Sequence, residues 1–332
     1  MAQMNLMHRA LSAAFVAGTL LGLAPASSLA QADWPSKPVR IVVPFPAGGS
    51  SDIVARQLAQ HLSAALGQQF IVDNRAGAGG NIGLDSVAKA VPDGYTLALS
   101  TSGPLANNKA LYKTMPFDAQ KDLTPVALVG EIPLIIAAHP GVKATNLKDF
   151  VALAKANPTQ YSVGHPGNGT IGHLAIEYFK MTTGANPQSI PYKGDAPAMT
   201  DLLGGQIQAV SAPVTAFIQN VQSDKLRGLA VTSRKRFPGL PNVPTAAEQG
   251  IDMEAAVWFA VVGPAGLPKP VVTRLNQEVN RFITSADGKA KLGQFGMVEI
   301  SGSPELLSAL MASEATKWKK VVDAAKISLE SP

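Results

Sequence analysis

Cysteine is absent from the 332 residues. That single absence excludes disulfides, thiolate metal sites, a cysteine nucleophile and the lipidated cysteine of a surface anchor. Beyond residue 32, no run approaches the ~20 apolar residues needed to span a bilayer. Nucleotide signatures are missing as well. There is no G-x-x-x-x-G-K-[ST], and counting from Gly77 and Gly79 puts Ile82 where the last glycine of G-x-G-x-x-G belongs. Five scattered histidines give no H-E-x-x-H, and no G-x-S-x-G or S-x-x-K pattern with partners stands out. Charged residues make up only 15% of the chain, with a formal net charge of +5. The one basic cluster, Arg234-Lys235-Arg236, lacks interleaved aromatics and reads as a solvated loop, so no nucleic-acid partner is expected. Neither metal nor cofactor is expected.

The start of the chain has the plan of a secretory signal peptide over residues 1–32. His8-Arg9 precede an apolar stretch from Leu11 to Leu23, and Ala30-Gln31-Ala32 supplies a small-x-small cleavage site before Asp33. Ser28-Leu29-Ala30 would also serve, and an uncleaved N-terminal anchor is the alternative. Without disulfides the exported remainder must be held by its core. A 46% apolar composition permits that, and the length favours two domains over one.

From Val39 onward, strand and helix patterns alternate, which argues for parallel sheets covered by helices. Val54, Leu58, Leu62 and Leu66 recur at i+4 in a helix starting near Asp52 and ending at Gly67. Strands are expected at 69–72, 95–99, about 126–137 and 161–163, with helices near 82–90, 147–156 and 171–181. Further βα units are expected over 189–204, 208–222 and 226–250. In the helical tail Pro270 and Pro304 are expected at N1, with Ser303 as an N-cap. The apolar segments Ile132–Ala137 and Ala255–Val262 are candidate crossings between two lobes: 33–134 with 257–332, and 135–256.

Three glycine-rich turns each close a strand and open a helix. The first runs Pro44-Phe45-Pro46-Ala47-Gly48-Gly49-Ser50-Ser51-Asp52. The second runs Asn74 to Gly83 and includes Ala78, Gly79 and Gly80, and the third is Gly164-His165-Pro166-Gly167-Asn168-Gly169-Thr170. Such turns leave unpaired N–H groups at a helix start, where the helix dipole favours an anion. The first two should lie side by side at the carboxyl ends of neighbouring strands. There a Cβ at Gly48 would intrude on the anion. The bland alternative is tight strand–helix packing. Leu99-Ser100-Thr101-Ser102-Gly103 either adds neutral donors or forms an ordinary turn. Donors without a fixed cation suit reversible carboxylate capture. His173, in the first turn after Thr170, either bonds the ligand or packs. An exported hydrolase with a triad assembled only in space stays open, and turnover of chromogenic esters would distinguish it.

The first two glycine turns resemble the Bug-type extracytoplasmic solute receptors of tripartite tricarboxylate transporter systems, as do Pro92-Asp93-Gly94-Tyr95-Thr96, Tyr192 to Ala198 and Leu226 to Thr232. The resemblance runs in order along the whole exported chain. It implies an α/β Venus-flytrap fold with two mixed sheets flanked by helices and strands crossing at the hinge. It also implies a periplasmic, monomeric, non-enzymatic receptor that delivers a small carboxylate to large and small permease subunits. A ligand-sensing partner of a signalling protein is the alternative within the same fold. By resemblance the carboxylate is held by the first two loops and the strand-end Ser102-Gly103, with the second lobe adding Gly167 to Thr170 and the region of Asp195. Ala76, Ala260 and Leu267 depart from the family pattern. So does Ala212, where relatives often carry aspartate, which shifts the expectation from amino acids to plain carboxylates, aromatic or dicarboxylic ones included.

Overall fold

The first βαβ unit sets the geometry of everything near the glycine turns. β1 (Val39–Val43) is an apolar run buried along nearly its whole length, as a strand covered on both faces must be. It pairs in parallel with β2 (Phe70–Asn74) and β3 (Thr96–Thr101). Helix α1 (Ser50–Leu66) crosses from β1 to β2 and buries Val54, Leu58, Leu62 and Leu66 on one stripe. Gly67 then adopts φ +72° and returns its N–H to the Ser63 carbonyl, which ends the helix. A short 3₁₀ turn (Ala78–Gly80) leads into α2 (Asn81–Ala88). After β3 a π-helical turn (Gly103–Asn107) runs on into α3 (Asn108–Leu111).

β4 (Leu123–Ala138) is the strand that makes two sheets of one chain. Its first part, to Pro133, pairs antiparallel with β9 (Ala256–Pro264), which itself lies antiparallel to β3. From Leu134 it pairs antiparallel with β7 (Ala209–Pro213), and from Ile135 with β8 (Arg227–Val231). β5 (Ser162–His165) lies parallel to β6 (Gln188–Pro191) and β7. The short β10 (Val298–Glu299) pairs with β4 at Glu131. Both sheets are therefore mixed: the βα units pair in parallel as their alternation implies, and antiparallel pairing enters at β4, β8, β9 and β10.

Helices α4 (Leu147–Ala156), α5 (Ile171–Thr183), α6 (Asp195–Leu203) and α7 (Val214–Gln222) flank the second sheet. α8 (Lys269–Thr284), α9 (Ala286–Gly293) and α10 (Pro304–Ala325) complete the chain. α10 packs against both parts. Leu307 and Met311 join Val42, Leu84 and Trp258, while Trp318, Val321 and Val322 join Leu134, Phe150 and Phe179.

In the computed structural model the described residues are 34–329, so the leader assigned to 1–32 lies outside them. Lys37 onward forms one compact unit; Trp34–Ser36, in a separate unit, contribute no helix or strand. Two local expectations are corrected. Residues 226–250 hold β8 and only a three-residue 3₁₀ turn, Ala247–Gln249, because Pro238, Pro241 and Pro244 interrupt any helix. Pro270 stands at the second helical position, after Lys269 and with Pro268 as the capping residue. Ser303 caps α10 as expected, accepting the Leu306 N–H, with Pro304 first in the helix.

Candidate functional site

The first glycine turn is exposed from Pro46 to Ser50. Gly48 has φ +85°, and an added Cβ would meet no protein atom within 4 Å. What glycine supplies there is the left-handed backbone, and the space a side chain would enter holds no protein atom. The Gly48 N–H is already bonded, at 2.9 Å, to Oδ2 of Asp52. Asp52 is buried and receives Arg56 Nε at 3.0 Å. That guanidinium holds its carboxyl below the usual range against the opposing effect of burial, with Gly48 and Asn74 assisting. Asp52 thus organises the turn that carries Ala47, Gly48, Gly49 and Ser50, none of which lines the cleft described below.

The second turn is tighter. Ala78, Gly79 and Gly80 have φ of 51°, 61° and 96°. A Cβ on Gly79 would stand 2.6 Å from the Tyr112 hydroxyl oxygen, and one on Gly80 would stand 2.8 Å from Pro104 and 3.3 Å from Phe45. Asn108 Nδ2 donates to the Gly79 carbonyl at 3.1 Å and to Asn81 Oδ1 at 2.7 Å, tying this turn to α3.

In the third turn Thr170 caps α5. Its hydroxyl donates to the Gly167 carbonyl at 2.7 Å and accepts the His173 N–H at 3.4 Å. His173 Nδ1 accepts the Gly169 N–H at 3.1 Å, and its ring stacks on that of His165 with centroids 4.5 Å apart. Burial, reinforced for His165 by its neighbour, lowers both histidines to about 4, so the pair is neutral at pH 7. The structure thus engages His173 in the packing of the turn. Because the folded values lie below the ordinary histidine value, this pair's contribution to stability is complete above about pH 6.5 and is lost as pH falls toward 4. The melting temperature of wild type should drop across that window, and His173→Gln should drop less.

Phe45, Gly79, Ser102, Gly103, Asn168, Gly169, Thr170 and Asp195 come together around one cleft of about 360 Å³. Ala78, Gly80, Gly167 and His173 do not line it. The cleft opens between the two sheets: Thr101 to Pro104, Asn107, Asn108 and Tyr112 face Pro166, Asn168 to Gly172, Asp195 and Pro213. No lysine or arginine lines it. Asn107 and Asp195 each leave a buried Oδ1 without a partner, and burial pushes the Asp195 carboxyl upward. Orphaned acceptors of this kind call for a donor from a ligand or water. Asn107, Asn108, Tyr112, Val257 and Leu329 were not legible as site residues. Only the Asn107-Asn108 pair carried a signal, being polar inside an otherwise apolar turn. If the neutral donors hold the ligand, Ser102→Ala should weaken binding by roughly 0.5–1.5 kcal/mol, whereas Thr170→Ala should lower stability by about 0.5–2 kcal/mol through the lost cap. Calorimetric titration and thermal melts on both variants separate the two effects.

A second cavity, about 580 Å³, lies on the opposite face of β9. Along β9, Val257 lines the cleft while Ala256 and Trp258 line this cavity, as strand alternation requires. Glu131 of β4 projects into it, and its carboxyl is raised to about 7, chiefly by burial and then by Glu254. Among the described residues no cluster of histidine, aspartate and glutamate is arranged to hold a metal, and no helix is long and apolar enough to cross a membrane.

Residues 54–327 match the model of the tripartite tricarboxylate transporter family receptor. Protein BugT of Bordetella pertussis is 38% identical over 310 residues, covering 92% of this chain and 95% of its own. Rpa4515 of R. palustris, solved with adipate, is 38% identical with a TM-score of 0.74, covering 89% of this chain and all of the other. MatC of Rhodopseudomonas palustris, solved with malate, is 29% identical with a TM-score of 0.70, covering 87% of this chain and all of its own. With the two-sheet architecture, β4 shared by both sheets and the cleft between them, these likenesses place the chain in the tripartite tricarboxylate transporter receptor family.

Proposed function

We propose that this protein is an exported, periplasmic receptor that closes on a small organic carboxylate and passes it to a membrane permease of large and small subunits. It acts as a monomer, without cofactor and without turning the ligand over. Residues 33–134 with 257–332 form one lobe and 135–256 the other, and they close by bending where β4 passes between the sheets. The ligand's differential affinity for the closed state sets how far closure proceeds.

One observation carries this reading. The cleft between the sheets is lined by hydroxyls, amides, glycine backbone and apolar side chains, with Asp195 its one acid and no lysine or arginine among them. Such a surface can capture a carboxylate and release it without breaking a buried ion pair. The relatives solved with adipate and malate support the same ligand class. A thermal-shift screen of mono- and dicarboxylates tests it. A true ligand at 100 times its Kd should add about 2.7 kcal/mol of stability. No response to any acid in the panel would contradict the reading.

A further inference from the structure

The segment that follows α10 reaches back into the cleft. Lys326 takes the left-handed conformation (φ +53°), and the Ile327 N–H bonds the Val322 carbonyl at 3.1 Å, turning the chain off the helix axis. Two residues on, the Leu329 N–H bonds the Leu111 carbonyl at 2.9 Å, and Leu329 forms a parallel bridge with Tyr112. That docking puts the Leu329 side chain among the residues lining the cleft. It lies against the third glycine turn, since a Cβ on Gly169 would stand 2.6 Å from Leu329 Cδ1. Gly169 itself holds φ +74°, so the turn presents bare backbone to the leucine. On the other side Tyr112, bridged to Leu329, carries its hydroxyl up to Gly79 of the second turn.

Leu329 therefore stands where the walls from the two sheets meet, on a segment that belongs to neither glycine turn. The polar groups of the cleft are carried on or beside β3, α3, α5 and α6, not by the segment that bears Leu329. Its apolar atoms offer a ligand no hydrogen bond; what they do is occupy length. We propose that Leu329 is a specificity-determining residue, the apolar stop that fixes how long a carboxylate the cleft accepts. This inference rests on the carboxylate-receptor reading above.

Trimming the stop should let a longer chain bury the methylene groups that the leucine now excludes. Each methylene newly buried tightens binding roughly four-fold. The probes are unbranched dicarboxylates from succinate through glutarate, adipate and pimelate to suberate, titrated calorimetrically into wild type, Leu329→Ala and Leu329→Trp. Leu329→Ala should move the optimum to a longer acid by one or more methylenes, with roughly four-fold gained per step. Leu329→Trp should lose the longer acids first. Leu329 is partly exposed and packs against the core cluster that holds Leu111 and Ile171, so a modest fall in melting temperature is expected for Leu329→Ala, and melts taken alongside establish that both variants are folded. A uniform loss across the series, or an unchanged order of preference in both variants, would overturn the inference while leaving the receptor reading intact. A wild-type protein that bound none of the series would overturn the inference, and the wider screen of mono- and dicarboxylates decides the receptor reading separately.

Discussion

Gly79→Val should abolish detectable carboxylate binding while leaving the fold in place. Gly79 lines the cleft and holds φ +61°, a conformation that costs a β-branched residue on the order of 1–2 kcal/mol. Its Cβ would come within 2.6 Å of the Tyr112 hydroxyl and 3.3 Å of Asn108 Nδ2. Tyr112 and Asn108 both line the cleft, so relieving the clash moves two of its walls. Moving Asn108 also breaks its bonds to the Gly79 carbonyl and to Asn81, the ties between this turn and α3. Gly48→Val makes the control. It suffers the same kind of backbone strain, yet its Cβ meets open space and it does not line the cleft. The control should therefore lose stability first and affinity less. Circular dichroism, melting temperature and ligand Kd on both variants measure the contrast, and equal loss of affinity would place the carboxylate nearer the first turn.

At pH 8, Glu131→Gln should stabilise the protein by about 3 kcal/mol, and the gain should fade as pH falls from 7 to below 4.5. Glu131 sits on β4 opposite Trp258 of β9 and Val298 of β10, two residues before pairing with β9 gives out at Pro133. Burial and the neighbouring Glu254 and Glu314 raise its carboxyl to about 7, against the attraction of Arg234 and Lys317. Below the unfolded value of 4.5 the group is protonated in both states and contributes no penalty. As pH rises through 7 the folded state must ionise a half-buried acid that the unfolded state ionises freely. A displacement of about 2.5 pH units then amounts to roughly 3 kcal/mol lost from stability. Glutamine keeps the shape without the charge. Urea unfolding at pH 5 and pH 8 reads the difference directly, and an equal effect at both values would contradict a half-buried, titrating Glu131.

Elements with a regular period were legible from the chain. The i+4 apolar residues of α1 and the mostly apolar run of β1, broken only by Arg40, each carry their own signal, and the structure returns both nearly to the residue. The crossing role of β4 was also readable, because an apolar segment of that length must be covered along its whole extent. The failures have local causes. Three prolines cancel a helix after β8, and the π-helical turn at Gly103–Asn107 has no period by which to recognise it. The cleft was only partly legible for a related reason. Glycine turns announce themselves, so Gly79, Gly103 and Gly169 could be named in advance. Tyr112, Val257 and Leu329 reach the cleft through pairings distant in sequence, such as the bridge between 112 and 329. Asp52 shows the converse. The resemblance placed it in a loop that holds the ligand, and in the structure the Gly48 N–H and Arg56 bond its carboxylate.

The central claim is that the cleft between the two sheets holds one carboxylate through neutral donors. Calorimetric titration, at pH 7, of the strongest acid from the thermal-shift screen into wild type and Gly79→Val tests it most directly. The expected result is saturable binding at one site per chain in wild type, ligand recovered unchanged, and no binding in the folded variant. Undiminished affinity in folded Gly79→Val, or ligand converted to product by wild type, would contradict the account.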